Sequence, residues 1–140
     1  MPAIAGLLER HPEGVLAWHE CLGDATVEVD PAQLVPVMAW LRDESGERFE
    51  TLCDLTAVDR LGREPRFDLV YHLRSPATRA RLRVKAAVEA QIASLVPLWP
   101  AADWLEREVF DLYGIDFAGH PDLRRILLVS DFEGHPLRKD

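Results

Sequence analysis

Apolar and polar residues alternate in two stretches near the middle of the chain, a pattern typical of strands that are buried on one face. In "RFDLVYHLR", every second residue from Phe67 to Leu73 is apolar, and in "ARLRVKA" the same pattern runs from Leu82 to Ala86. The preceding stretch "FETLCDLTAVD" is rich in strand-forming residues. Because "RLGREP" and "SPAT" supply turns between them, the three strands are predicted to be antiparallel neighbours.

A strand pair and a helix are predicted before these strands. "VLAWHE" and "ATVEVD" are consistent with a hairpin that turns at Gly23 and Asp24. Asp30 is a favourable helix N-cap, and Pro31 suits the first helical position. The apolar residues that follow have helical spacing: Leu34, Val37, Met38 and Leu41. The N-terminal stretch "MPAIAGLLERHPEG" has no basic leader, so it is interpreted as a first helix rather than a signal peptide.

The predicted order of elements is helix, two strands, helix, three strands, helix and tail. This order indicates an α+β fold with an antiparallel sheet of about five strands and helices packed on it. The α+β domain is expected to cover residues 1–118, and residues 119–140 are expected to form an extended docking tail.

Composition and charge argue against several classes of protein. The 140 residues are 48% apolar, which is enough for a core, and contain no apolar run long enough to span a membrane. The net charge of −8 argues against a general nucleic-acid binder. Arg81, Arg83 and Lys85 could form a basic stripe with Arg66 and Arg74. It has no interleaved aromatic residues, so a solvated sheet face is favoured over an RNA-binding site. Cys21 and Cys53 are expected to be reduced thiols, since two isolated cysteines do not make a four-ligand zinc site.

The stretch "AADWLEREVFDLYGIDF" is predicted to be a helix that crowds carboxylates among large apolar residues. Its apolar stripe is expected at Leu105, Val109 and Leu112. A catalytic pair at Glu106 and Glu108 is disfavoured, because residues two apart on a helix do not face each other. We expect instead that Glu106 and Glu108 are salt-bridged or hydrogen-bonded structural groups. Either the tail folds back so that the helix carboxylates bind its basic residues, or helix and tail together meet a partner. These basic residues are Arg124, Arg125, Arg138 and Lys139.

The tail contains two similar phrases, "GHPDLRR" and "GHPLRKD". Each His precedes a Pro, which favours an extended backbone and interrupts any helix. A metal site built from His120 and His135, with Asp122 and Asp131, is a minor alternative. The apolar run at 126–129 is expected to anchor the tail on its own domain. The last residues, "EGHPLRKD", are expected to stay mobile until a partner binds them.

The stretch "LEREVFDLYGIDFAGHPDLRRILLVSDFEGHPLRKD" resembles the signature of the 30 kDa subunit family (the C subunit) of proton-translocating NADH–quinone oxidoreductase, respiratory complex I. "LCDLTAVDR", "RFDLVYHLRS" and "RLRVK" are also similar to this family, so the resemblance covers nearly the whole chain after Asp30. Members of the family usually continue past the second phrase, whereas this sequence stops at Asp140. A naturally short tail and a trimmed sequence are the two alternatives for this difference.

The resemblance implies a non-catalytic structural subunit in the peripheral arm of the complex, on the cytoplasmic face of the inner membrane. It implies no metal and no cofactor of the chain's own, and the sequence has no dinucleotide, P-loop or iron–sulfur motif. The implied partners are other complex I subunits, chiefly the one that helps to form the quinone site (the D subunit); no nucleic acid is expected. The expected partner-binding residues are Glu106, Glu108, His120, Pro121, Arg124, Arg125, His135, Pro136, Arg138 and Lys139.

Other functions stay open at this point. The chain is also compatible with the equivalent subunit of a membrane-bound hydrogenase or of a plastoquinone-reducing complex. A stand-alone metal-dependent enzyme would use His120 and His135, and an RNA-binding module would use the basic stripe at 81–85. The pattern of residues does not distinguish which quinone or electron donor such a complex uses.

Overall fold

The computed structural model describes all 140 residues, and it confirms the predicted α+β fold. A single turn of 3-10 helix at Pro31–Gln33 precedes the second α-helix. No helix has the length and hydropathy that a membrane span requires. The elements are α1 (Pro2–Arg10), β1 (Val15–Cys21), β2 (Asp24–Val29), α2 (Leu34–Asp43), β3 (Thr51–Asp59), β4 (Phe67–Arg74), β5 (Arg81–Val88), β6 (Gln91–Ala93), α3 (Ala102–Tyr113) and β7 (Asp116–Ala118).

The main sheet has five strands in the order β1-β2-β5-β4-β3, and it is mixed rather than antiparallel. Three of its strand pairs are antiparallel, but β2 and β5 are parallel. The prediction of an antiparallel sheet is therefore wrong at this pair. The physical reason is the crossover through α2, which returns the chain to begin β3 in the same direction as β2. Since β4 reverses that direction and β5 reverses it again, β5 lies parallel to β2. A separate parallel pair joins β6 to β7.

The alternation in β4 and β5 predicts the buried face of the sheet correctly. Phe67, Leu69, Tyr71 and Leu73 are all buried, as are Leu82, Val84 and Ala86. The helical spacing in α2 is confirmed too, because its four predicted apolar residues are fully buried. Buried residues from all three helices and from this sheet face form one hydrophobic cluster. The helices therefore lie on one side of the sheet, and the other side carries the polar half of the alternation.

The hydroxyl of Tyr71 generates a test of this core. It is fully buried and has no hydrogen-bond partner in the protein. Because an unpaired buried hydroxyl costs about 1–3 kcal/mol, Tyr71→Phe should leave the free energy of unfolding unchanged or raise it by about 1 kcal/mol in urea denaturation. Leu73→Ala on the same strand is the control and should lower it by about 2–5 kcal/mol. A loss of more than about 1 kcal/mol in Tyr71→Phe would show that the hydroxyl is bonded.

Candidate functional site: the last helix and the tail

The helix α3 buries carboxylates where the sequence suggested leucines. Its buried residues are Ala102, Glu106, Val109 and Asp111, whereas Leu105 and Leu112 are only half-buried. The helix ends at Gly114, whose φ of 78° lies in the left-handed region that glycine adopts without strain. The predicted leucine stripe is therefore wrong in part, and the carboxylates of α3 have to be explained individually.

Glu106 lies on the core side of α3, and its partners are neutral rather than cationic. The hydroxyl of Ser94 donates to Oε1 at 2.6 Å, and the backbone N–H of Leu95 donates to Oε2 at 2.8 Å. Burial raises the pKa of Glu106, and the two hydrogen bonds oppose that rise. The prediction that Glu106 is a hydrogen-bonded structural group is confirmed, but its partners are not basic residues of the tail. Glu106 instead joins α3 to the segment after β6.

Glu108 is half-buried and makes no hydrogen bond or ion pair within the chain. It borders a cleft of about 160 Å³ between α3 and β3, the edge strand of the sheet. Leu55, Leu112 and Leu137 contribute apolar surface to the same cleft. The expected salt bridge or hydrogen bond is therefore absent for Glu108, and its carboxylate is accessible to a group from outside the chain.

Asp111 is the carboxylate that binds the tail. Its Oδ2 accepts the backbone N–H groups of Ile126, Leu127 and Leu128 at 3.1, 2.8 and 3.0 Å. Its Oδ1 accepts a hydrogen bond from the guanidinium of Arg125 at 2.6 Å. Consecutive N–H groups that converge on one oxygen form an anion-binding nest, and here the anion belongs to the chain itself.

The charge of Asp111 is favoured in this setting. Burial acts to raise the pKa of Asp111, but the hydrogen bonds from the nest and from Arg125 outweigh it, so the pKa lies below its usual value. The expectation that a tail arginine binds a carboxylate of the helix is confirmed for Arg125. It is wrong for Arg124, which is exposed and pairs with Asp122 at 3.0 Å.

The tail also supplies donors to the last carbonyls of α3, which a helix leaves without partners. The backbone N–H of Gly114 donates to the carbonyl of Phe110, and tail residues donate to the carbonyls of Asp111, Leu112 and Tyr113. The tail contacts are His135 Nδ1 and Arg125 Nη1 to Asp111 O at 3.0 and 3.1 Å, Leu137 N to Leu112 O at 3.0 Å, and Arg138 Nε to Tyr113 O at 2.6 Å. Two of these donors are cationic, which is favourable at the negative end of the helix dipole.

The last two residues of the chain bind the sheet. Asp59, at the end of β3, accepts the backbone N–H of Lys139 at 2.8 Å. Arg66 binds the Asp59 carboxylate through two hydrogen bonds of 2.7 and 2.8 Å, and it also binds Asp140. The hydrogen bonds from Arg66 lower the pKa of Asp59 to about 2, although burial opposes them. These contacts contradict the expectation that the segment after Asp131 is unbound without a partner.

The two histidines of the tail lie at opposite ends of α3. His120 Nε2 is 3.0 Å from both the backbone oxygen and Oδ1 of Asp103, and its Nδ1 accepts the N–H of Asp122. His135 binds the carbonyl of Asp111, eight residues further along the helix, which is about 12 Å at 1.5 Å per residue. The two rings therefore do not share a metal site, and no group of three or more His, Cys, Asp or Glu side chains is placed to bind a metal ion.

The apolar run in the tail is buried only in part. Ile126 and Leu128 are half-buried, whereas Leu127 and Val129 are 60% and 68% exposed. Phe132 and Leu137 are exposed as well. The expected four-residue anchor is therefore wrong for two members, because backbone N–H groups rather than side chains attach this segment to Asp111. We call the four exposed residues the tail surface: Leu127, Val129, Phe132 and Leu137.

Neither Asp59 nor Arg66 was predicted to contact the tail, although both matter for its position. A usable signal existed, because the two residues flank the connection between β3 and β4 and opposite charges there favour pairing across the turn. Pro121 and Pro136 are exposed, and within the chain their role is to restrict the backbone of the preceding histidines to extended conformations.

The architecture is that of an α+β domain whose last helix binds a C-terminal tail. The family model described as respiratory-chain NADH dehydrogenase, 30 Kd subunit, matches residues 27–140. The chain belongs to this family. It is 50% identical over 133 residues to the NADH-quinone oxidoreductase C subunit of Ruegeria sp. (strain TM1040), covering 94% of this chain and 66% of that protein. It is 48% identical over 140 residues to the C subunit of Roseiflexus castenholzii, covering 98% and 80%. The chain spans only 60 to 66% of the length of several such relatives.

Two solved structures share the fold. The trypsin-resistant fragment (1-134) of Nqo5 is 32% identical, with a TM-score of 0.75 over 88% of this chain and 100% of that one. A chain of the archaeal membrane-bound sulfane sulfur reductase has a TM-score of 0.81 over 97% of this chain and 81% of that one. Its identity is 23%, so it is similar in fold alone.

The Asp111 contacts predict a large effect of a small substitution. Asp111→Asn should lower the free energy of unfolding by about 3 kcal/mol, because it leaves Arg125 without its buried counter-charge. Amide hydrogen exchange at residues 126–128 should become faster. The control, Asp122→Asn, removes an exposed ion pair and should change stability by less than about 1 kcal/mol. Equal effects of the two substitutions would contradict the role of Asp111.

The lowered pKa values of Asp59 and Asp111 predict a loss of stability in acid. Because both carboxylates bind protons less readily in the folded chain, their contribution is present above about pH 4 and is lost as the pH falls; for Asp59 this loss extends to about pH 2. Glu106 has the opposite sign, since its raised pKa makes the folded state bind protons more readily. Urea denaturation between about pH 5 and 2 should show a shallower pH dependence for Asp59→Asn than for the unchanged chain. An unchanged slope would contradict the pairing with Arg66.

Proposed function

We propose that the chain is a non-catalytic structural subunit of a proton-translocating NADH–quinone oxidoreductase, and that its tail surface binds the quinone-site subunit of that complex. One observation carries this proposal. The backbone of the tail is fixed to α3 through Asp111, while Leu127 and Val129 are directed to solvent. Exposed apolar side chains that lie together mark protein–protein interaction sites.

The fixed tail lowers the cost of association. A disordered segment loses conformational freedom when it binds, and that loss reduces its affinity. Here the internal contacts of Asp111 and Asp59 already order the segment. The tail surface is therefore preorganised for a partner that buries apolar side chains.

The ten residues that the sequence singled out divide into two groups under this proposal. Five of them position the tail or the helix from within: Glu106, His120, Arg125, His135 and Arg138. The other five present accessible side chains and are proposed to contact the partner: Glu108, Pro121, Arg124, Pro136 and Lys139. Glu108 is the member for which a cationic partner group is expected, because it has no counter-charge in its own chain.

The names of the similar proteins support the same assembly. Relatives at about half identity carry the name of the NADH-quinone oxidoreductase C subunit, and the matched region includes the whole of α3 and the tail. In this proposal the chain contributes no catalytic residue, and electron transfer and quinone reduction belong to its partners. The complex would place the chain at the cytoplasmic face of the membrane, as a peripheral component.

The tail surface predicts a separation between folding and assembly. The double variant Leu127→Ser/Val129→Ser should retain the urea denaturation midpoint, because both side chains are already in water. Co-purification with the quinone-site subunit from the same organism should fall by about tenfold or more, since two apolar contacts are lost. Leu61→Ser is the matched control, as Leu61 is also exposed but lies between β3 and β4. Unchanged co-purification of the double variant would remove the support for this interface.

A further inference from the structure

The face of the sheet opposite the helices carries a concave pocket of about 480 Å³. Residues of β2, β3, β4 and β5 line it, and no helix contributes to it. Three of the lining residues are arginines: Arg74, Arg81 and Arg83. They include most of the basic stripe that the sequence analysis set aside as a solvated face, so the stripe is a concave surface rather than a flat one.

The arginines are placed so that their positive charges repel each other. Arg74 lies directly opposite Arg81 in the β4–β5 register, and like charges at such a position destabilise a sheet. Arg81 approaches Asp24 at 3.6 Å, but both side chains are largely exposed, so this pair is weak. Arg83 donates to the hydroxyl of Thr26, which carries no charge. Arg74 has no partner within the chain.

Several arginines elsewhere in the molecule do form close ion pairs. Arg66 and Arg125 form short hydrogen-bonded pairs with Asp59 and Asp111. Arg60 and Arg63 share the carboxylate of Asp68, which lies on the same face of the sheet as the pocket. In a chain with a net charge of −8, carboxylates are abundant, yet Arg74 and Arg83 receive none. The cluster therefore carries a positive charge that the rest of the chain does not neutralise.

The backbone beside the arginines is also irregular. The register of β3 against β4 shifts between Leu52 and Asp54, so Cys53 is an extra residue at the edge of the pocket. Such bulges often lie next to functional sites, because they redirect side chains and interrupt regular pairing. Asp54 also lines the pocket, but no hydrogen bond or ion pair joins its carboxylate to an arginine, and the three arginines outnumber Asp24 and Asp54.

We propose that this pocket binds an acidic segment of a second partner subunit, whose carboxylates pair with Arg74 and Arg83. Arginine and carboxylate groups form two-point hydrogen bonds that are stronger than neutral ones. A nucleic acid fits less well, because no Phe, Tyr or Trp lines the pocket on which a base could stack. The inference rests on the proposed function as a component of a complex, and it adds an interface on the sheet face that the tail surface does not use.

The first test measures assembly. The full complex is expressed with Arg74→Glu/Arg83→Glu, and the fraction of the chain incorporated is compared with that of Arg10→Glu/Arg48→Glu, which changes the net charge equally at exposed positions elsewhere. Incorporation should fall by about tenfold for the pocket variant and remain unchanged for the control. The isolated pocket variant should keep its circular dichroism spectrum and urea midpoint. Equal incorporation of the two variants would overturn the inference.

The second test uses Cys53, an exposed thiol in the pocket. In a Cys21→Ser background, maleimide should label Cys53 at least about tenfold more slowly in the purified complex than in the free chain. A cross-linker attached at Cys53 should join a segment rich in Asp and Glu, identified by mass spectrometry. Equal labelling, a cross-link to an apolar segment or a cross-link to RNA would each overturn the inference.

The two variants distinguish the tail interface from the pocket interface. If Leu127→Ser/Val129→Ser prevents incorporation and the pocket variant does not, the proposed function stands and the acidic partner is rejected. If neither variant affects incorporation, both proposed interfaces are rejected, while the chain remains a component of the complex. Loss of incorporation in both variants, with slow labelling of Cys53, supports two distinct contacts.

Discussion

The carboxylate of Asp111 accepts hydrogen bonds from the backbone of the tail, so each satisfies the hydrogen-bonding groups of the other. The position of the tail on α3 depends on these bonds. A buried carboxylate without partners would cost several kcal/mol or would bind a proton. A tail segment without regular secondary structure has backbone N–H groups that need acceptors. Three of these groups and one guanidinium converge on Asp111, so the helix gains a satisfied charge and the tail gains a fixed position.

The same logic explains the inverted layout of the tail. In most surface segments, apolar side chains attach the chain and polar groups face water. Here the backbone and the polar ends of His135 and Arg138 contact the helix, while much of the apolar surface is left outside. The His135 ring also packs against Gly114, where a Cβ would lie 2.8 Å from the His135 Nε2. Polar contacts thus determine the path, and the apolar side chains remain free for association.

The features predicted from the sequence were those with a local cause. Alternation located the inward face of β4 and β5, and the Asp30-Pro31 cap located the start of the second helix to within a 3-10 turn. The parallel pairing of β2 with β5 was not predictable in this way, because alternation carries no information on strand direction. The tail end was predicted to be loose because side-chain patterns do not show the free carbonyls at the end of α3, which bind Leu137 and Arg138.

Three of the four carboxylates of α3, Glu106, Glu108 and Asp111, show why residue type and spacing did not determine their roles. Glu106 has neutral donors and a raised pKa, Asp111 has a nest with a guanidinium and a lowered pKa, and Glu108 has no partner within the chain. The difference follows from what each side of the helix meets: the segment after β6, the tail, or an open cleft. Glu106 thus connects α3 to the core, Asp111 fixes the tail, and Glu108 is left unpaired next to the exposed Leu137. No group of the chain pairs with this carboxylate, which borders the same cleft as Leu55, Leu112 and Leu137.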